Sequence, residues 1–357
     1  MGTEFYKGKK VLITGHTGFK GTWLSHILLN AGAQVCGVAL DPQTDPSLFR
    51  LCRFEKDLRS EIFDIRDFNR TVGVFEDFKP EIVFHLAAQP IVRTSYEEPR
   101  MTFETNVMGT VNILEAVRKT SSVRSVLNVT TDKVYLNDDE DVAFTEDMPL
   151  DGYDPYSNSK SCSELVTHSY IKSFFNDKGV AVSTARAGNV IGGGDFSRDR
   201  IIPDCARAAL GGNELIIRNP KSTRPFQHVL EPLFAYLLIA QRQLEDPKKA
   251  GYYNIGPKIT DCVSAGELAD MFIRDWKDEV RIVIRPDGGP HEAGFLKLDC
   301  SKIKKTLGWE PVWDIERAVA ETVNWFKTYG SGDDILKEMA SEEEAYRKDS
   351  NSETKGF

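Results

Sequence analysis

Tyr156 and Lys160 stand four residues apart where a segment with helical spacing, Ser157 to Asn176, begins, so both side chains share one helical face. A phenol with a reference pKa of about 10 is a poor base at neutral pH unless cations stabilise the phenolate, and Lys160 supplies one. Upstream, beyond a strand at Ser125 to Val129, Thr131, Asp132 and Lys133 set a hydroxyl, an acid and an amine side by side. The bland alternative for Asp132 and Lys133 is a surface pair at a strand end. For Tyr156 and Lys160 it is two ordinary exposed helix residues.

A third motif changes that balance. Thr14-Gly15-His16-Thr17-Gly18-Phe19-Lys20-Gly21 runs from a buried strand, Val11 to Ile13, into a helix. Gly15 permits the tight turn, Gly18 lets the backbone approach a pyrophosphate, and Gly21 lets helix and strand pack closely. Free N–H groups at the helix start, with the dipole behind them, make an anion site. Placed after the first strand, this loop predicts a dinucleotide. His16 and Lys20 add basic character to it, although Lys20 also fits a solvated first-turn lysine. The acid expected about 20 residues on has one candidate, Asp41, past the second strand Gln34 to Leu40. Either Asp41 holds the adenosine ribose, which favours NAD over NADP, or it caps a turn before Pro42. Asp64 and Ile65, after the third strand, are the expected adenine contacts.

The elements that must position these residues alternate. Strands at Glu81 to His85, Ser125 to Val129 and Val180 to Ala185 interleave with helical patterns at Phe68 to Phe78, Met101 to Lys119 and Ser157 to Asn176. That order predicts an α/β, Rossmann-like doubly wound parallel sheet with a smaller C-terminal substrate-binding lobe. Residues 1–187 plus 227–256 form the expected dinucleotide domain, and 190–226 plus 257–330 the lobe, where Gly192-Gly193-Gly194, Pro203, Pro220 and Pro225 punctuate shorter elements. The charged stretch 331–357 reads as a solvated helix that frays.

Composition sets the outer bounds. The 357 residues carry a formal net charge of −9, with 41% hydrophobic and 10% aromatic side chains. That is ample for a core, and the acidic balance opposes a phosphate-tracking nucleic-acid binder. No run approaches the ~20 apolar residues of a membrane helix, and Met1 to Lys10 has no signal-peptide pattern. Six scattered cysteines read as reduced thiols, and no His, Cys and carboxylate cluster has metal spacing. The expectation is a cytoplasmic globular protein with no membrane, nucleic-acid or metal partner.

With these pieces assembled, the chain resembles the extended short-chain dehydrogenase/reductases that act on nucleotide sugars. The resemblance spans roughly residues 8–329 and includes His85-Leu86-Ala87-Ala88-Gln89, Asn106-Val107-Met108-Gly109-Thr110 and Arg186-Ala187-Gly188-Asn189-Val190. It implies NAD as cofactor, with Leu86, Ala87 and Ala88 beside it. Val129-Thr130-Thr131-Asp132-Lys133-Val134-Tyr135 looks like the 4,6-dehydratases rather than the epimerases, whose positions after the Ser/Thr are usually small and unreactive. Lys133 stands where the dTDP- and GDP-sugar dehydratases usually carry glutamate. The resemblance implies Asp132 as acid and Lys133 as base for the proton on C5, after Tyr156 and Thr131 have served C4. It also implies a nucleotide-sugar substrate held by Asn189 and cations among Arg200, Arg218 and Arg224, with Gln89, Arg93 and His228 at the rim. A homodimer or homotetramer built on Met101 to Lys119 and Ser157 to Asn176 is the family's pattern. The rival readings are a 4-epimerase and a dinucleotide-sensing protein without chemistry.

Overall fold

The protein, seen in a computed structural model, is described over residues 3–138, 140–277, 280–285, 288–289 and 295–353. Its centre is a seven-stranded parallel sheet: β1 (Lys10–Thr14), β2 (Gln34–Ala39), β3 (Arg59–Ile62), β4 (Ile82–His85), β5 (Ser125–Val129), β6 (Ala181–Ala187) and β7 (Tyr252–Ile255). The spatial order is β7-β6-β5-β4-β1-β2-β3, each neighbour parallel to the next. Strand order therefore reverses between β1 and β4, and the carboxyl ends of those strands frame a crevice where α/β sheets bind ligands. Val11, Leu12, Ile13, Val83, Phe84, Val126 and Leu127 are fully buried, as expected of strands covered on both faces.

Local sequence fixes the helices. Helix α1 (Phe19–Asn30) starts at Gly18 with no side-chain cap and ends before Gly32, which has φ +75°. Helix α2 (Phe68–Phe78) is capped by Asp67, whose side chain accepts from Arg70 N. The predicted single helix Met101 to Lys119 is instead three consecutive pieces: Pro99–Phe103, a turn of π-helix at Glu104–Met108, and α3 (Gly109–Lys119). The wide turn carries Asn106, whose amide accepts from Gln89 N at 2.8 Å and donates to Gln89 O and to Ser159 Oγ. Helix α4 (Pro155–Tyr170) begins with Asp154 accepting from Ser157 N and with Pro155 in its first turn, where a missing N–H is harmless. A second π turn, Ile171–Phe175, continues it.

Two apolar layers cover the sheet. One, between α2, α3 and the sheet, contains Val38, Phe75, Ile113, Val117 and Phe175. The other is larger and runs from α1 through α5 (Leu230–Glu245) to α6 (Ile315–Ser331). Helix α5 lies on the sheet, with Ser125 Oγ donating to Ala240 O and Ser183 Oγ to Gln243. Around the crevice, short parallel pairs join Val190–Ile191 to Gln227–His228 and Leu215–Ile217 to Ile282–Ile284, beside helices Ile201–Gly211 and Ala265–Trp276.

The charged tail corrects the expectation of a solvated, fraying helix. Residues Ile335–Glu353 form α7, and Met339, Glu342, Glu343 and Tyr346 are buried on its inner face. Tyr346 stacks on Phe234 and donates to Glu231 Oε2 at 2.7 Å, while Asp349 accepts from Trp313 Nε1. Its outward face carries the charge that dominates the sequence pattern; residues 354–357 lie outside the described ones.

Candidate active site

The glycine turn is built by backbone packing. Gly15 has φ +80°, and a Cβ there would sit 2.9 Å from Ala87 N. A Cβ on Gly21 would lie 2.0 Å from Gly15 O, so only glycine lets α1 close onto the turn. Gly18 differs: its Cβ would meet only Gly15 O at 3.4 Å, leaving open space over the uncapped N–H groups of α1. Thr14 Oγ1 accepts from both Leu86 N and Ala87 N at 3.1 Å, which brings the Leu86-Ala87-Ala88 run against the loop. Thr17 Oγ1 donates to Leu40 O, and Asp41 is exposed just beyond β2. Asp64 is tied to Arg66 by backbone and guanidinium bonds, and Ile65 is buried against Gly109.

His16 does not give the loop basic character. Its ring is buried over Gly37, edge-on to Phe49, with Nε2 2.7 Å from Ser60 Oγ. Burial lowers its pKa to about 4, so it is neutral at pH 7. Lys20 is no solvated lysine either. Its amine reaches Tyr236 OH at 3.4 Å, inside the protein, and burial, then the nearby Arg200 and Lys160, bring it down to about 7.

Tyr156 and Lys160 stand buried on α4 beside the carboxyl end of β5. Lys160 Nζ donates to Val129 O at 3.1 Å, tying the helix to the end of β5. Burial lowers its pKa to about 8, against the opposing charge of Glu164. Burial pushes the Tyr156 phenol up to about 12, partly offset by a hydrogen bond with Thr131. Thr131 also donates to Asp132 Oδ1 at 2.9 Å. Lys133 Nζ donates to that same oxygen at 2.9 Å and to Asn189 Oδ1 at 3.0 Å. Asp132 is 1% exposed, and its Oδ2 is buried without a protein partner.

One cleft is lined by Asp132, Lys133, Asn189, Arg224, Tyr135 and Tyr153, among others. Arg93 follows Val92, part of the cleft wall, on the short helix Val92–Glu97. Arg200 pairs with Asp195 at 3.1 Å and still acts electrostatically on Lys20 and Tyr156. Arg218 pairs with Asp199 and lines a separate surface hollow with Asp204 and Arg207.

Two of the expected rim residues, Gln89 and His228, are not among the residues that line the cleft. Gln89 commits both ends of its side chain to its own surroundings, donating to Thr102 Oγ1 and accepting from Ile91 N, so it shapes a loop. His228 is fully buried between Trp23 and Trp313, 3.5 Å from Glu342, because the turn into α5 faces the apolar layer. Sequence reasoning also missed Phe144 and Leu296, which reach the cleft from the paired segments around Ala143–Phe144 and Lys297–Leu298; those loops carry no periodicity.

A glycine turn at a strand-order reversal, facing a Tyr-x-x-x-Lys helix, defines the extended short-chain dehydrogenase/reductase class. Within it, the chain belongs to the family described as GDP-mannose 4,6 dehydratase, whose model matches residues 12–322. The CDP-glucose 4,6-dehydratase of Salmonella typhimurium is 47% identical over 339 residues, covering 93% of this chain and 94% of its own. A dTDP-glucose 4,6-dehydratase of Xanthomonas campestris is 29% identical, over 89% and 93% of the two chains. Among solved structures, dTDP-glucose 4,6-dehydratase of Bacillus anthracis in complex with NAD superposes with a TM-score of 0.75 at 22% identity, covering 92% of this chain and 100% of its own.

Proposed function

We propose that this chain converts CDP-D-glucose to CDP-4-keto-6-deoxy-D-glucose, with NAD as a catalytic cofactor regenerated in each turnover. The reading is supported by family membership, by the 47% identical relative of that activity, and above all by one observation. Asp132 offers one oxygen to Thr131 and Lys133 and keeps the other unpartnered, beside the Tyr156 site.

The cradle fits the dinucleotide: Gly18 leaves open space over unscreened N–H groups, and Asp41 stands exposed past β2 for a ribose. When bound, NAD supplies the oxidant for C4 and the hydride for C6. Tyr156, as phenolate, takes the 4-hydroxyl proton, with Thr131 hydrogen-bonded to the same sugar oxygen. Arg200 draws the phenol down from its buried value, and Lys160 on the same helical face would supply a further cation to the phenolate. A C4 carbonyl makes the C5 proton acidic, and Lys133 removes it. Asp132, entering the step protonated while Lys133 enters it neutral, gives its proton through Oδ2 to the departing 6-hydroxyl, which leaves as water, and the two residues end as the ion pair seen here. Asn189 orients Lys133, and Arg224 with Arg200 hold the diphosphate.

On this reading the enzyme works in the cytoplasm as a homodimer or homotetramer, supported by exposed Met108, Leu165 and Phe174; none of the described helices is long and apolar enough to cross a membrane. Ranking kcat/KM for CDP-, dTDP-, GDP- and UDP-glucose tests the substrate. CDP-glucose leads by at least tenfold on this reading. A preference for another base overturns the nucleotide, and release of the C4 epimer overturns the dehydration.

A further inference from the structure

Glu164 lies one turn beyond Lys160 and two beyond Tyr156 on the same face of α4. Its carboxylate is fully buried and meets donors from the end of β5 and from β6. Thr130 Oγ1 donates to Oε1 at 2.5 Å; Thr184 Oγ1 and Arg186 Nη2 donate to Oε2 at 2.8 and 3.0 Å. His168 Nε2 lies 3.3 Å from Oε2. Arg186 is anchored in turn, its Nη1 donating to Tyr135 OH at 3.0 Å and to Glu146 O at 3.1 Å. Tyr135 OH donates to Asn254 Oδ1, on β7. Thr130 sits between Val129, whose carbonyl takes the Lys160 amine, and the Thr131-Asp132-Lys133 turn. None of these clamp atoms enters the chemistry above.

We propose that Glu164, clamped by Arg186, is a positioning residue that fixes the Tyr156–Lys160 face against the Thr131-Asp132-Lys133 turn and sets a permanent negative charge behind Lys160. The proposal rests on the reading of Tyr156 and Lys160 as the reacting pair. Burial alone would raise the Glu164 carboxyl; the His168 ring beside it, the Arg186 guanidinium and the Thr130 hydroxyl outweigh it and hold it at about 2. Lys160 in turn acts on His85 from β4 and on Lys20 from α1, where Arg200, Asp132 and Lys133 act as well. Burial, then Lys160 itself, brings His85 down to about 3, so it is neutral. Glu164 is therefore the carboxylate that keeps Lys160 charged.

The double variant Glu164→Gln/Arg186→Met removes both charges, so neither is left buried alone. Lys160 is titrated by NMR in protein labelled with ¹³C at the lysine Cε, with Lys160→Met for assignment. The wild-type midpoint falls near 8, and in the double variant at least one pH unit lower. The alkaline limb of kcat/KM moves with it, and kcat at pH 8 drops about tenfold while KM stays within twofold. An unmoved midpoint overturns the proposal. Because that titration needs no turnover, a wild type inactive on nucleotide sugars counts against the function and leaves this test standing. If the double variant fails to fold, Thr130→Val keeps both charges and unties only the strand end. It is expected to lower kcat about tenfold with KM within twofold; an unchanged kcat overturns the proposal.

Discussion

Lys133 Nζ lies 2.9 Å from Asp132 Oδ1, and the other oxygen of that carboxylate, buried at the cleft wall, has no protein partner. A carboxylate held by one oxygen keeps its second free for a substrate hydroxyl, while the amine beside it is oriented by Asn189 at 3.0 Å. General acid and base catalysis needs this order of geometry before any question of protonation. Removing either group should therefore affect elimination and spare C4 oxidation. For Lys133→Ala, kcat is expected to fall ~10²–10⁴-fold, and for Asp132→Asn similarly. Steady-state kinetics with CDP-glucose check this; a kcat within threefold of wild type for Lys133→Ala contradicts the assignment.

The Tyr156–Lys160 pair gives a pH prediction with a definite sign. The charged ammonium supports the phenolate, and Lys160 loses its proton near pH 8 because burial lowers it, less the opposing pull of Glu164. The kcat/KM profile, which reports the free enzyme, should fall as pH rises through about 8. Lys160→Met should abolish that limb along with most activity. A profile flat to pH 10 speaks against Lys160 as the stabilising cation.

Much of this was legible in the residues. The four-residue step from Tyr156 to Lys160 and the glycine spacing both depend on local geometry, which sequence displays directly. What it could not display was direction. His16 and Lys20 flank the same turn, yet one ring slips over Gly37 into an apolar layer and the other side chain turns toward Tyr236. His228 went the way of His16, because the turn into α5 points inward. Helix α7 was misread because its charged residues outnumber the few, Met339 and Tyr346 among them, that dock it. Tertiary partners far along the chain decided each of these.

Glycine 21 offers a test of the cradle. A Cβ there lies 2.0 Å from Gly15 O, so Gly21→Ala must move α1 off the turn. The expected cost is ~1–3 kcal/mol of stability, with cofactor affinity reduced at least tenfold by titration calorimetry. Gly18→Ala, with its nearest contact at 3.4 Å, should fold as wild type and lose affinity alone. Equal melting behaviour for both variants contradicts the packing argument.

The docked tail predicts a stability effect far from the cleft. Tyr346 is fully buried against Phe234 and Trp313, and its hydroxyl meets Glu231, which also accepts from Val312 N and Trp313 N. Tyr346→Ala should cost ~3–5 kcal/mol in denaturant unfolding. A loss under 1 kcal/mol contradicts the docking.

The dehydration requires that a C5 proton leave and be replaced from solvent. Proton NMR of CDP-glucose incubated with the enzyme and NAD in D₂O tests it most directly. The expected product is a 4-keto-6-deoxy sugar, still joined to the nucleotide, with deuterium at C5, formed more slowly by Lys133→Ala. A C4 epimer that keeps its 6-hydroxyl, or a keto sugar that retains the original C5 proton, contradicts it.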